Sequence, residues 1–131
     1  MYKLEPKLGT QLVKERIVKE QDTATFYGSG GVDVLATPAM ITLMENTCLN
    51  LVNRYLEQGW VTVGTEVNVK HIKATPIGMR VKCIAKLVDV DGPRLKFEVE
   101  MYDEQGKVGY GTHKRYVVNL KEFIQKVYSK N

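Results

Sequence analysis

A histidine, a carboxylate and a hydroxyl in the middle of the chain are the residues best suited to chemistry. His71 ends an alternating run that begins at Val61. The positions that share its phase are Val61, Val63, Thr65, Val67, Val69 and His71. Such alternation is typical of a strand with one buried face, so it predicts an imidazole among valines. Burying that ring costs free energy unless its nitrogens find partners. Thr37 and Glu45 lie upstream, at the start and on the inner side of a predicted helix. Together the three residues predict a site for proton transfer.

Each of these residues also has an ordinary structural interpretation. Thr37 is typical of a helix N-cap, and Glu45 of a helix carboxylate that reaches solvent past an apolar edge. His71 taken alone fits a hydrogen-bonded core histidine equally well. A second histidine, His113, shares its phase with Arg115 in a glycine-rich segment. This pattern favours a structural residue near a sheet edge or in a kinked strand.

The predicted helix begins at Thr37-Pro38 and runs to about Gln58, with Gly59 as its stop. On a wheel centred at Cys48, the apolar arc comprises Ile41, Met44, Leu51, Val52 and Tyr55. Glu45 lies about 60° from the centre of that arc rather than among the polar residues opposite. Leu43 and Leu49 stand outside the arc, so more of the helix is apolar than one sheet face covers. A curved sheet with a second subunit alongside accounts for the excess.

The rest of the chain predicts strands joined by short turns. Thr10–Val18 forms a first strand, Thr23–Tyr27 extends it or makes a second short piece, and Gly28–Gly31 is a flexible loop. Four further strands follow at Val61–Lys73, Met79–Val90, Arg94–Tyr102 and Val108–Asn119. Leu120–Tyr128 predicts a short amphipathic closing helix. Consecutive strands with tight connections form an antiparallel sheet. The fold class is α+β, with the sheet wrapped around one long central helix.

Length and composition indicate one soluble domain over residues 1–131. The chain is 44% hydrophobic and 26% charged, which is ordinary for a globular protein. Its net charge of +4 is spread along the sequence without a basic stripe interleaved with aromatics, so a nucleic-acid partner is not expected. Cys48 and Cys83 match no metal spacing and are predicted to be reduced core residues, which favours the cytoplasm and no metal. No signal peptide or membrane span is expected.

Four segments carry a resemblance to a known family: Leu35–Glu45, Val63–His71, Ala74–Met79 and Gly109–Arg115. In order and spacing they resemble the fluoroacetyl-CoA thioesterase-like family, in register from about residue 34 to 118. The resemblance implies a hotdog fold, a homodimer and hydrolysis of a short or small acyl-CoA. It implies no separate cofactor, since coenzyme A is part of the substrate.

The same resemblance implies roles for individual residues. It places Thr37, Glu45 and His71 on the family's catalytic threonine, glutamate and histidine, and Gly64 and Arg115 on positions near the substrate. Glu45 and His71 would activate water, or Glu45 or Thr37 would attack through a covalent acyl intermediate. Backbone N–H groups near Gly64 would line the oxyanion site. Basic side chains that could meet the phosphates of coenzyme A are Lys70, Lys73, Arg80, Lys82 and Arg115.

One departure from the family and two rival functions remain open. The family's namesake carries aromatic residues over its acyl pocket, where this chain has Gly28–Val32. We therefore expect a more open loop and an acyl group that differs from fluoroacetyl or is larger. The first rival is a non-catalytic acyl-CoA-binding or sensing domain. The second is a hydratase or dehydratase on a similar fold, which would favour an aspartate–histidine pair instead of a helical glutamate.

Overall fold

The computed structural model describes residues 8–130, which form one antiparallel sheet packed against a long helix. The strands are β1 (Gln11–Ile17), β2 (Trp60–His71), β3 (Arg80–Asp91), β4 (Arg94–Asp103) and β5 (Gly106–Asn119). The helices are α1 (Ala24–Tyr27), α2 (Thr37–Asn53) and α3 (Leu120–Tyr128), with a 3₁₀ turn at Glu20–Asp22. The strand order is β1-β3-β4-β5-β2, so β2 lies at one edge of the sheet.

The core lies between α2 and the inner face of the sheet. Along β3 and β4, buried residues alternate with residues that face solvent, as expected for strands of a sheet with one solvated face. They are Val81, Cys83, Ala85, Leu87, Leu95, Phe97, Val99 and Met101, all at most 2% exposed. Helix α2 meets them with Met40, Met44, Cys48, Leu51 and Val52. The predicted α+β architecture, with an antiparallel sheet and a closing helix at Leu120–Tyr128, is confirmed. Not every pair of consecutive strands is adjacent, because β2 pairs with β5 and β3 with β1.

Helix α2 begins at Thr37 as predicted but differs from its prediction at its C-terminal end. It stops at Asn53 rather than near Gln58, and short i to i−3 bonds from Tyr55 and Leu56 tighten the chain after it. Gly59 does adopt a left-handed φ of 93°, but it turns the chain into β2 instead of ending the helix. Ile41, predicted to lie in the apolar arc, is only half-buried, as are Leu43 and Leu49. One side of the helix is therefore left partly open.

The segment Thr23–Tyr27, predicted to extend the first strand or to form a second short piece, is instead helical from Ala24 to Tyr27. Thr23 accepts a hydrogen bond from Phe26 N at 3.2 Å and caps α1, which Gly28 ends with a φ of 70°. A two-residue bridge joins Thr23 to Leu35. The loop after α1 is confirmed, and it leads directly into the start of α2.

Strand β2 contains a bulge that changes which side chains face the helix. Its pairing with β5 slips between Gly64 and Glu66, so Thr65 is the extra residue. Thr62 is buried before the bulge, whereas Val69 and His71 point inward after it. The prediction of one continuous inward phase from Val61 to His71 is therefore wrong for the first half of the strand.

Two further expectations concern membranes and the N-terminus. Within residues 8–130, no helix has the length and apolar character needed to cross a membrane. The expected lack of a signal peptide rests partly on residues 1–7, which lie outside the described residues.

Candidate active site

Thr37 and His71 meet at one end of the edge strand. Thr37 is the first residue of α2 and His71 the last of β2. The Oγ1 atom of Thr37 lies 2.8 Å from Nδ1 of His71. Ala36, not Thr37, occupies the N-cap position, so the N-cap interpretation of Thr37 is wrong. Its hydroxyl is instead free of the helix backbone and committed to the imidazole.

The other nitrogen of His71 is unusual for a buried polar atom. Nε2 is buried and has no hydrogen-bond partner among residues 8–130. Burial lowers the pKa of His71. The backbone of Lys73 opposes that shift. A ring with a lowered pKa is neutral near pH 7 and can accept a proton. An unpaired buried nitrogen in a native protein calls for a functional explanation.

A cavity of about 300 Å³ opens beside this pair. Thr37 and His71 form part of its wall, Ser29 of the glycine-rich loop another part, and Lys73 its basic rim. The helix α2 begins here, with Ala36 and Thr37 in the cavity wall, although Pro38 at its second position has no N–H group. An anionic or carbonyl oxygen bound in the cavity would lie near the positive end of the helix dipole and beside the Thr37–His71 pair.

Glu45 belongs to a second polar group, two turns further along α2. A Cβ atom built on Gly64 would lie 3.0 Å from Oε2 of Glu45, 3.4 Å from Cε1 of His113 and 3.5 Å from Nη1 of Arg115. The three groups thus converge on Gly64 more closely than a side chain would comfortably allow, and we call the gap between the Glu45 carboxylate and the Arg115 guanidinium the space above Gly64. Within residues 8–130, no hydrogen bond joins Glu45 to the Thr37–His71 pair.

Arg115 is buried, with an exposed fraction of 7%, and its hydrogen bonds go to uncharged partners. Its Nε donates to Thr62 Oγ1 at 2.8 Å, Nη2 to the Thr62 carbonyl at 3.0 Å and Nη1 to His113 Nε2 at 3.1 Å. Burial lowers the pKa of Arg115, and the charge of Glu45 opposes that shift. A guanidinium buried and held in this way is not placed to meet phosphates at the protein surface, as the sequence prediction for Arg115 allowed.

Sequence reasoning missed Thr62 and misjudged His113. The expectation that His113 lies near a sheet edge is wrong, because β5 runs between β4 and β2 and His113 is 1% exposed. One signal was available: His113 and Arg115 share a phase on a strand whose next inward residue is Val117. Thr62 carried no signal, because the bulge that turns it inward is not evident in the alternation.

Neither cysteine of the chain is suited to act as a nucleophile. Cys48 and Cys83 are free and buried, as predicted. Burial raises the pKa of Cys48 and raises that of Cys83 to about 11, so neither is a ready nucleophile. No group of three His, Cys, Asp or Glu side chains suited to a metal ion occurs in the part of the chain that the structure describes.

Comparison with known proteins places this chain in a family. The sequence profile of the fluoroacetyl-CoA-specific thioesterase family matches residues 18–121. The fluoroacetyl-CoA thioesterase of Streptantibioticus cattleyicolor is 41% identical over 98 residues, which span 75% of this chain and 70% of that protein.

Several solved structures are similar to this chain in fold, and some of them also in sequence. A fluoroacetyl-CoA thioesterase structure is 33% identical, covers 97% of this chain and 98% of its own, and superposes with a TM-score of 0.90. A variant of that enzyme in complex with fluoroacetate and CoA is 33% identical over 90% of this chain and 99% of its own, with a TM-score of 0.85. A hot-dog-like protein from Thermanaerovibrio acidaminovorans, 23% identical, has a TM-score of 0.88 over 94% of this chain and 91% of its own, which confirms the hotdog fold. The chain belongs to the fluoroacetyl-CoA-specific thioesterase family.

Proposed function

We propose that this protein is an acyl-CoA thioesterase that hydrolyses a small acyl-CoA to the free acid and CoA. Family membership supports the reaction, and the relative solved with fluoroacetate and CoA supports the substrate class. The observation that carries the proposal is the 2.8 Å contact between Thr37 Oγ1 and His71 Nδ1 beside a cavity of about 300 Å³. A hydroxyl on a neutral imidazole is the arrangement that acyl transfer requires.

In this proposal His71 accepts and returns the proton that moves during the reaction, and Thr37 supplies the hydroxyl group that contacts it. With Nδ1 unprotonated, the ring accepts the hydroxyl proton of Thr37 or, through it, the proton of an attacking water. When water attacks the thioester carbonyl, the C–S bond breaks, the proton passes to the departing thiolate of CoA and the free acid is released. When Thr37 attacks, the same cleavage leaves the acyl group as an ester on Oγ1, and a water activated by His71 then hydrolyses that ester to the free acid and restores the hydroxyl. Direct attack by Thr37 and attack by water both require His71 to accept a proton from the attacking oxygen. Both routes therefore remain in the proposal.

Glu45, Gly64 and Arg115 are proposed to act at the carbonyl end. The Glu45 carboxylate and the Arg115 guanidinium both approach the backbone at Gly64, where no side chain stands between them. A water held there would be oriented by both groups, and a backbone N–H nearby would stabilise the developing oxyanion. A preorganised donor of this kind is typically worth about 10²–10³ in rate.

We propose further that the working unit is a homodimer in the cytoplasm. The free edge of β2 runs past both polar groups, and a long unpaired edge favours pairing with a second chain. Half-buried Leu43 and Leu49 on α2 support a neighbour on that side. Light scattering at a mass of one chain would refute the dimer. The two unpaired cysteines are in keeping with a reducing compartment.

The acyl group is proposed to be small and not restricted to fluoroacetyl. Ser29 borders the cavity where the family's namesake carries aromatics, whereas Phe26 and Tyr27 on α1 pack on each other with ring centroids 6.2 Å apart. Neither aromatic ring lines the cavity beside Thr37. An open wall at this place tolerates acyl groups that an aromatic lid would exclude.

The test is release of free thiol from a panel of thioesters: acetyl-, fluoroacetyl-, medium-chain and aryl-CoA. We expect turnover by the wild type and loss of at least about 100-fold in His71→Ala with its fold retained. Asn68→Ala is the matched control, since Asn68 lies on the same strand and is exposed. Equal activity in His71→Ala would refute the site. Saturable binding without thiol release would favour the non-catalytic acyl-CoA-binding alternative.

A further inference from the structure

His113 occupies a position where each ring nitrogen has one defined partner. Nδ1 lies 2.8 Å from the carbonyl oxygen of Glu66, and Nε2 lies 3.1 Å from Nη1 of Arg115. A carbonyl only accepts hydrogen bonds and a guanidinium only donates them. Both contacts hold only if Nδ1 carries the proton and Nε2 does not. The geometry thus assigns the neutral Nδ1–H tautomer.

The surroundings of His113 keep the ring in that state. Burial lowers its pKa, as does the charge of Arg115, while the Glu66 backbone and Glu45 oppose the shift. Phe97 stacks against the ring, with centroids 6.3 Å apart and planes 28° from parallel. His113 is therefore a rigid neutral acceptor, not a residue that changes charge during turnover.

The two hydrogen bonds of His113 serve different parts of the molecule. Nδ1–H reaches the strand β2 just after the bulge at Thr65, where Glu66 resumes the pairing with β5. That bond stabilises the bulge. Nε2 holds Nη1 of Arg115, the guanidinium nitrogen that faces the space above Gly64. One N–H of Nη1 is used by His113, so the second remains for an acceptor in that space.

We propose that His113 is a positioning residue for thioester hydrolysis, whose Nε2 orients the Arg115 guanidinium towards Glu45 and the space above Gly64. The inference rests on the proposed function and adds a residue to it. Thr62 fixes Nε and Nη2 of the guanidinium, and His113 fixes the remaining nitrogen. Because the guanidinium is planar and rigid, its two bonds to Thr62 leave only a tilt about the line through them; without His113 that tilt is unrestrained and Nη1 moves.

Two isosteric substitutions separate the two nitrogens of the ring. In His113→Asn, the side-chain amide occupies the place of Nδ1, so the bond to Glu66 is kept and the acceptor for Arg115 is lost. In His113→Gln, the amide oxygen reaches the place of Nε2, so the acceptor is kept and the donor to Glu66 is lost. Lys114→Ala is the control on the same strand, since Lys114 is exposed and its contact with Glu66 is 3.6 Å long.

The two variants are expected to fail in opposite ways. With acetyl-CoA and fluoroacetyl-CoA as probes, His113→Asn should lower kcat about 10- to 100-fold, the effect of losing a hydrogen bond to a charged group. KM should change little. His113→Gln should recover most of that kcat but unfold at a lower temperature than His113→Asn. Equal losses of kcat in both folded variants, or full activity in His113→Asn, would overturn the positioning role.

A measurement on the ring itself tests the geometry without turnover. Two-bond ¹H–¹⁵N correlation of the histidines should show His113 with Nδ1 protonated and Nε2 unprotonated at pH 8. A protonated Nε2 would overturn the proposal whatever the kinetics. If the wild type releases no thiol from any thioester, the proposed function fails, and this spectrum still decides the hydrogen-bond arrangement. If His113→Asn does not fold, loss of kcat in folded His113→Gln overturns the proposal.

Discussion

Gly64→Ala is expected to inactivate the enzyme without harming its fold. Gly64 does not have a positive φ, so alanine fits the backbone. Its methyl group would stand 3.0 Å from Oε2 of Glu45, against 3.4–4 Å for ordinary contacts. The carboxylate must then retreat by roughly half an ångström. Because a misplacement of about 1 Å costs roughly 10²-fold in rate, we expect kcat to fall at least about tenfold.

Stability should change by no more than about 1 kcal/mol. The alanine removes conformations from the unfolded chain, which stabilises by about 0.4–1 kcal/mol at a compatible position, and the displacement of the half-buried Glu45 carboxylate opposes that gain. Thiol release and urea unfolding of the same preparations measure both effects. Gly31→Ala is the matched control for stability, because a Cβ at Gly31 meets nothing within 4 Å and its φ is not positive. A Gly64→Ala enzyme with wild-type kcat would refute the role given to this space. A strongly destabilised one would refute the geometry.

Two further predictions concern the hydroxyl of Thr37 and the effect of the two histidines on stability at low pH. Thr37→Ser keeps a hydroxyl within reach of His71 and should retain kcat within about tenfold, whereas Thr37→Val keeps the shape, loses the 2.8 Å bond and should lose about 100-fold or more. The pair is compared by thiol release, and an active Thr37→Val would contradict the role of the hydroxyl. Burial lowers the pKa values of His71 and His113 in the folded state, so the unfolded chain takes up protons first as the pH falls. Stability should be full above about pH 6.5 and decline below it. Urea midpoints that are equal at pH 7.5 and pH 5.5 would contradict this.

The strands and α3 could be predicted because their signals are local. Alternation and turn residues define β3, β4 and β5, and the closing helix has the spacing of an amphipathic segment. The bulge at Thr65 could not be predicted, because Val61 and Val63 are apolar on one phase and half-buried, so the alternation stays regular across the slip. The end of α2 was missed for a related reason. Tyr55 and Leu56 extend the apolar pattern beyond the last helical hydrogen bonds.

The residues of the candidate site also separate into those with a local sequence signal and those without one. Thr37 and His71 were predicted because a polar residue at a helix start and another on an apolar strand face are each visible in the sequence. The links of Arg115 to Thr62 and of His113 to Glu66 depend on how β2 registers with β5. Those residues lie 53 and 47 positions apart. No local pattern encodes that register, and a slip of one residue would turn Arg115 to the opposite face.

The energetics of Arg115 favour a role in the reaction over a role in folding. Taking a guanidinium out of water is costly, and even a paired buried charge is often no better for stability than an apolar side chain. Here the hydrogen-bonding partners are neutral, and the facing carboxylate of Glu45 is not within ion-pair distance. Such an arrangement leaves the cation incompletely compensated on the side of Gly64. A developing negative charge in that space would complete the compensation during turnover, and this is the condition under which a buried cation accelerates a reaction.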